Sequence, residues 1–394
     1  MTSVQQWQED YQARVRARRS RLAGRVRYGL KPPRRDRTAI VTDSSAAIPA
    51  SVLRHPLAVG LRQIPMPVMV GEQIYAEGSE ELHHELPFAL ASNQPVRTSR
   101  PSPGTFEETY RELEAAGYAR IVSVHISGGL SGTVEAARMA ATRVRIPVEV
   151  VDSRTTGMAL GFMVMEAAVR AGFGLPVGGI LDYLRGAGDQ SLVLFTVPNL
   201  EQLRRGGRIS ALKGLIGSML QVKPVLALRE GTISLVERTR SVDAAVDRMA
   251  AAAQAKAEAE PCSIAVHGYG NRRAAEALAV RLQPFSQVPV PVVDFPAVLA
   301  AHLGLGGIGV IVAPLAEEAG APGSGAQGSG VSAGTSSGTC VGAADGPQPV
   351  EPETAGRESE SGPAAGSDGT VELEQEPSAP AQQTDPADPS TGRV

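Results

Sequence analysis

Hydrophobic and polar positions follow a repeating rhythm from residue 38 onward. TAIVTDSS (38–45) is an apolar run rich in β-branched residues that stops on Asp-Ser-Ser, and helical spacing begins near Ala46. This predicts a strand entering a turn. RIVSVHIS (120–127) and PVEVVDSR (147–154) repeat the pattern, and each precedes a segment of helical period, TVEAARMAATRV and MALGFMVMEAAVRAG. Strands alternating with helices predict a parallel sheet covered on both faces. Ligands of such sheets sit beyond the carboxyl ends of the strands, where Ser44, Ser127 and Ser153 fall.

The rhythm changes at Ser191. Strand SLVLFTV and helix NLEQLRR lead to the loop GGRIS and an apolar segment, then to VKPVLAL and ISLVERT, split by Arg-Glu-Gly. Short alternating runs around Gly231 predict an antiparallel hairpin. Helix DAAVDRMAAAAQAKAEA, strand SIAVHGY, helix RRAAEALAVRL, strand VPVPVVDF, the short helix AVLAAHL and strand IGVIVAP complete the series. The expectation is two α/β domains, 38–190 with a mainly parallel sheet flanked by helices and 191–314 smaller with a mixed sheet, with the ligand in the cleft between them.

Composition shortens the globular part of the 394 residues. From Leu315 to Val394 there is no Phe, Trp, Tyr, Ile, Met or Lys, so too little apolar surface exists to offset the ordering of the chain. Residues 315–394 read as an acidic, Gly/Ser/Pro-rich disordered tail, with thirteen acidic residues against Arg357 and Arg393. Residues 1–37 carry eleven basic residues against Glu9, Asp10 and Asp36 and read as a basic disordered arm, a solvated extension able to touch nucleic acid or another polyanion. No apolar stretch of signal-peptide length follows the basic start, so a cytoplasmic location is expected. Cys262 and Cys340 are too few for a disulfide framework or a four-ligand zinc site. The most apolar stretch, 214–228, is broken by Gln221, Lys223 and Pro224 and is too short to span a membrane.

Four segments set Ser, Thr, Arg or His beside glycine or proline at loop positions. VRTSRPSPGTFEETY presents Thr98 too far before its helix to cap it, whereas Ser102 or Thr105 is placed to cap. HISGGLSGT brings backbone N–H groups and the Ser131 hydroxyl together at a helix N-terminus, a natural anion site. RRGGRIS exposes Arg208 in a glycine loop, where a solvated charge is the ordinary reading. AAHLGLGGIG places His302 at the end of a short helix, and only its neighbours raise it above a packed histidine.

Two motif matches fail on context. GLGGIG (304–309) fits the dinucleotide pattern but precedes a strand and leaves no acidic ribose partner, so no nicotinamide cofactor is expected. GLSGT imitates the nucleophile elbow, but Thr133 replaces its second glycine. A serine esterase using Ser131 and His302 stands as the alternative function.

Taken in order, TDSS (42–45), TSRPS (98–102), ISGGLSGT (126–133), VDSRTTG (151–157), LRRGGRIS (203–210) and AHLGLGG (301–307) resemble the DegV family over about residues 38–314. The resemblance implies a two-domain α/β protein that holds a long-chain fatty acid between the domains and has no catalytic activity or cofactor of its own. It implies the lipid-binding subunit of a fatty acid kinase, presenting the carboxylate to a separate ATP-using subunit that forms an acyl phosphate for phospholipid synthesis. Carried onto this chain, the carboxylate ligands are Thr98, Ser131 and His302, with Arg208 at the surface where the kinase subunit docks. The chain departs from the family pattern at Leu303 and Leu305, where Thr and Pro are usual, and at Arg100, where Gln is usual. The apolar segments 158–168 and 214–226, rich in Gly, Ala and Met, are candidates for lining the acyl tunnel.

Overall fold

The computed structural model describes residues 3–22, 33–55, 58, 60–208 and 222–315. Strands β1 (Thr38–Asp43), β2 (Leu61–Ile64), β6 (Arg120–His125) and β7 (Val148–Asp152) form a parallel sheet in the order β2-β1-β6-β7. Its side chains alternate between two cores. Ala39, Val41 and Ile121 meet α4 (Pro103–Ala115) and α5 (Thr133–Ala141) through Phe106, Tyr110, Ala136 and Ala140. Ile40, Val122 and Val124 point the other way, into the core that holds α6 (Gly157–Gly172). Burial on both faces of the central strands β1 and β6 explains why these two read as near-continuous apolar runs.

The second sheet comprises β8 (Leu192–Thr196), β9 (Lys223–Arg229), β10 (Thr232–Thr239), β11 (Cys262–Tyr269), β12 (Val292–Asp294) and β13 (Gly307–Pro314), in the order β10-β9-β8-β13-β11-β12. It is antiparallel throughout except for the β11–β12 pair, so it is mixed, as expected. Glu230 and Gly231 turn the β9–β10 hairpin, both at positive φ, the requirement of a two-residue primed turn. Helices α9 (Val242–Ala259) and α10 (Arg272–Leu282) cover one face through Met249, Ala253 and Leu278. Phe195, Leu226 and Ile311 face the opposite core, and α6 packs between β1 and β13. The expected boundary at 190/191 falls where α7 (Val177–Gln190) gives way to β8.

Two elements differ from expectation. Strands β3 (Pro67–Val70), β4 (Gln73–Ala76) and β5 (Val96–Thr98) form a small antiparallel sheet in the order β4-β3-β5. Its strands are four residues or fewer, and β4 is mostly exposed, so neither length nor alternation marks them. The N-terminal arm is not structureless throughout, because Ser3–Leu22 is a helix, α1. Trp7 is buried and stacks on Tyr11 with ring centroids 5.5 Å apart, Val15 packs with Val169 and Phe173, and Arg18 binds Glu166 of α6 at 2.8 Å. Trp7, Tyr11 and Val15 recur every four residues, but the surrounding arginines hide that stripe from a composition-based reading. The expected acidic tail, apart from Leu315, lies outside the described residues, as do 23–32. No helix among the described residues is long and apolar enough to cross a membrane.

Candidate ligand site

The three residues expected to hold a carboxylate line one cavity, and Arg208 joins them. Thr98 ends β5, and its Oγ1 lies 2.8 Å from His302 Nε2. His302 stands in the last turn of α11 (Ala297–Leu303), whose first N–H groups have no cap from Pro296. Glu77, just after β4, supplies that cap across the fold, its carboxylate accepting from Ala297 N at 2.8 Å and Val298 N at 2.7 Å. The small sheet therefore carries Thr98 directly and holds the helix that carries His302. Burial pushes the His302 pKa down to about 4, and the charge of Arg208 acts in the same direction. The imidazole is neutral at neutral pH. Its Nδ1 rests against Gly206, where any Cβ would fall well inside van der Waals contact.

Ser131 follows a glycine turn that closes with Leu130 N and Ser131 N both donating to Ser127 O. The turn is pinned to the second half of the fold, since Ser127 Oγ donates to Gly231 O at 2.7 Å. A Cβ on Gly129 would lie 2.6 Å from that same carbonyl, so glycine is required there. Ser131 stands just ahead of the helix, near whose start it was expected: α5 begins at Thr133 behind Gly132, and the Ser131 hydroxyl bonds Thr133 Oγ1 at 2.8 Å. It is a side-chain donor in the cavity wall.

Arg208 is less exposed than its glycine loop predicts. It is half-buried, with Nε donating to Leu130 O at 3.1 Å and Nη1 to Gly206 O at 2.6 Å. Two backbone carbonyls hold the guanidinium at the cavity wall, and burial lowers its pKa. A cation thus stands among the neutral donors. Most of the remaining wall is apolar, with Met66, Ile126, Phe195, Leu228, Leu299 and Ile311 among its residues. Of the expected tunnel segments, 158–168 is core behind the cavity, which only Gly157 at the start of α6 reaches. Positions 214–221 lie outside the described residues.

Three polar features escaped the sequence reading. His267 lines the cavity, bonds Val293 O through Nδ1 at 2.9 Å and accepts from Met158 N at 3.0 Å through Nε2, capping α6. Burial holds its pKa near 4. Thr156 lines the same cavity with Oγ1 buried and without a partner among the described residues. Beneath the first sheet, Asp43 Oδ2 lies 3.0 Å from His125 Nδ1, His125 Nε2 2.6 Å from Ser123 Oγ, and Ser123 Oγ 2.7 Å from Tyr110 OH. The Asp-His-Ser order imitates a hydrolase triad, but Ser123 and His125 are wholly buried and Tyr110 occupies the hydroxyl. The spacing of Ser123 and His125 on β6, two apart, was the one available signal.

Chemically, the cavity can orient an anion by Thr98, Ser131, His302 and Arg208 and enclose an apolar body behind it. It does not form the pair an esterase starts from. Ser131 is bonded to Thr133 and His302 to Thr98. Among the described residues no group of three His, Cys, Asp or Glu side chains could hold a metal ion.

Known proteins match this arrangement. The DegV family model, described as an uncharacterised protein family, matches residues 37–315. A DegV domain-containing protein of Streptomyces coelicolor is 41% identical over 283 residues, covering 70% of this chain and 97% of its own. A DegV domain-containing protein of Mycobacterium tuberculosis is 33% identical over 282 residues, covering 69% of this chain and 96% of its own. Among solved structures, a fatty-acid-binding DegV family protein of Thermus thermophilus is 33% identical, with a TM-score of 0.65 over 71% of this chain and 100% of the other. DegV of Bacillus subtilis, a fatty acid binding protein, is 29% identical, with a TM-score of 0.62 over 71% of this chain and 99% of the other. With five of the six expected motifs contributing to one cavity and the match spanning both main sheets, the chain belongs to the DegV family.

Proposed function

We propose that this protein binds a long-chain fatty acid in the cavity between its two sheets and presents the carboxylate, in the cytoplasm, to a separate ATP-using kinase subunit that makes the acyl phosphate. The observation that carries the reading is the Thr98–His302 hydrogen bond at a mostly apolar cavity that also holds Ser131 and Arg208. The fatty-acid binding of the Thermus thermophilus and Bacillus subtilis relatives supports it.

Affinity comes from the chain and orientation from the polar groups. Each buried methylene contributes roughly 0.8 kcal/mol, so fourteen give about 11 kcal/mol before ordering costs. A hydrogen bond to a carboxylate nets only about 1.5 to 3 kcal/mol. The cavity as it stands is narrow, about 80 Å³, a few water molecules in size. Loading a sixteen-carbon chain therefore requires the apolar walls to part, with Met66 an adaptable member of that wall. Neutral Thr98, Ser131 and His302 leave the carboxylate oxygens nucleophilic, and Arg208 orients them from the side of the loop it shares with Leu130.

Native mass spectrometry of the purified protein tests the binding, and single-turnover acyl phosphate formation with a kinase subunit tests the presentation. Copurifying fatty acid, or uptake of added palmitate or oleate one to one, is expected. Absence of both would sink the carrier reading. Binding with no kinase-dependent acyl phosphate would sink only the presentation step.

A further inference from the structure

Arg100 stands between the cavity and α4 with a charge that nothing in the fold uses. It is exposed and makes no hydrogen bond or ion pair among the described residues. The arginines around α4 and α5 behave otherwise, since Arg111 and Arg143 pair with Glu107 and Arg138 pairs with Glu135. An exposed arginine is ordinarily a solvated charge, so its position has to decide.

That position is tightly defined. Arg100 precedes the buried Pro101, whose ring holds the residue before it extended, and Ser102 caps α4 by accepting from Thr105 N at 3.1 Å. The side chain is thus mounted on a stiff segment two residues after Thr98. Its guanidinium rests against the glycine turn of Ser131: a Cβ on Gly132 would lie 2.5 Å from Nη1 and 3.3 Å from Cδ, which puts Nη1 within about 4 Å of the Gly132 Cα. Arg208 meets the same turn from the other side, donating to Leu130 O at 3.1 Å. Two guanidinium groups therefore flank Ser131, one at each of its chain neighbours. Ser99 lines the cavity and is exposed, so the cavity meets solvent beside Arg100.

We propose that Arg100 is a phosphoryl-binding residue, which with Arg208 makes the solvent side of the cavity a site for a lipid phosphate, the acyl phosphate of the proposed reaction. The assignment rests on that reading. In the transfer a carboxylate oxygen bonds the γ-phosphorus of ATP while the bond to the ADP oxygen breaks, and the anion on the carrier goes from one negative charge to about two. Arg208 in the cavity wall matches the first charge, and Arg100 matches the second. A planar guanidinium can donate to two phosphate oxygens at once. The carboxylate alone does not need Arg100, which lies outside the cavity lining.

Calorimetric titration of the full chain at about pH 8 with palmitate and with hexadecyl phosphate, a stable lipid phosphate, tests this. Hexadecyl phosphate is expected to bind at least as tightly as palmitate, and Arg100→Gln to weaken it about tenfold while changing palmitate less than about twofold. Palmitate bound and hexadecyl phosphate refused, or equal effects of Arg100→Gln on the two ligands, would overturn the assignment and leave the carrier reading standing. Failure of both ligands to bind the unmodified protein would overturn the carrier reading and the assignment together. If Arg100→Gln does not fold, Arg100→Lys takes its place, keeping the charge without the fork; it is expected to weaken hexadecyl phosphate severalfold and palmitate not at all, and the same outcomes overturn the assignment.

Discussion

Thr98 Oγ1 and His302 Nε2 lie 2.8 Å apart although 204 residues separate them in the chain. The bond joins the small antiparallel sheet to the helix before the last strand, in the wall of one mostly apolar cavity.

If both side chains serve one carboxylate, Thr98→Ala and His302→Ala should each weaken fatty-acid binding by about tenfold. The double variant should be little worse than either single one, because each removal already breaks the pair. Calorimetric titration with oleate measures this. Fully additive losses would show that the residues act independently.

Stability should fall as the medium is acidified from about pH 6.5 towards 4. Burial holds both His267 and His302 near 4, below the ordinary 6.5 of an unfolded chain. Between those values the unfolded state binds more protons than the folded state, so the stability present above pH 6.5 is lost on the way down. Each histidine contributes up to about 3 kcal/mol over that window. Thermal melts at pH 7, 5.5 and 4.5 should show the decline, and His267→Gln should flatten it.

The two loop glycines should respond differently to alanine. Gly206 has an ordinary negative φ but no room beside His302, so Gly206→Ala should displace the imidazole and weaken fatty-acid binding. Gly207 sits at φ 72 with nothing near a Cβ, so Gly207→Ala should cost about 1 kcal/mol of stability and leave binding intact. Melting temperature and oleate affinity, measured on both, separate the effects.

Glu77→Ala should lower stability by about 1 to 2 kcal/mol by leaving Ala297 N and Val298 N uncapped. It should also loosen α11 and weaken binding at His302, which the carboxylate never touches. Hydrogen exchange of the α11 amides provides the check: unchanged protection there would show that Glu77 does not hold the helix.

Ser123→Ala should destabilise the fold by about 1 to 3 kcal/mol, because Tyr110 OH and His125 Nε2 both lose their buried partner. Fatty-acid binding should persist, and p-nitrophenyl ester turnover should be absent before and after. Ester hydrolysis lost in this variant would make the buried Asp43–His125–Ser123 chain catalytic.

The sequence by itself determined β1, β6 and β7 of the first sheet, the strands of the second and most helices that cover them, because buried strands and amphipathic helices write their period into the chain, whereas the four-residue edge strand β2 was not legible. It also set Thr98 and Ser131 apart at loop positions, whereas His302 was marked mostly by the resemblance to the DegV family. Short exposed strands carry no such period, so the small sheet under Thr98 was illegible, and the Trp7–Tyr11–Val15 stripe of α1 was masked by its arginines. Only the tertiary structure could decide that Arg208 turns inward to the carbonyls of Leu130 and Gly206, that Ser131 bonds Thr133 and not His302, and that Glu77 caps α11 from 220 residues away. Such bonds depend on which distant carbonyl or N–H is left unmet once the sheets have packed, and side-chain spacing along the chain contains no record of that.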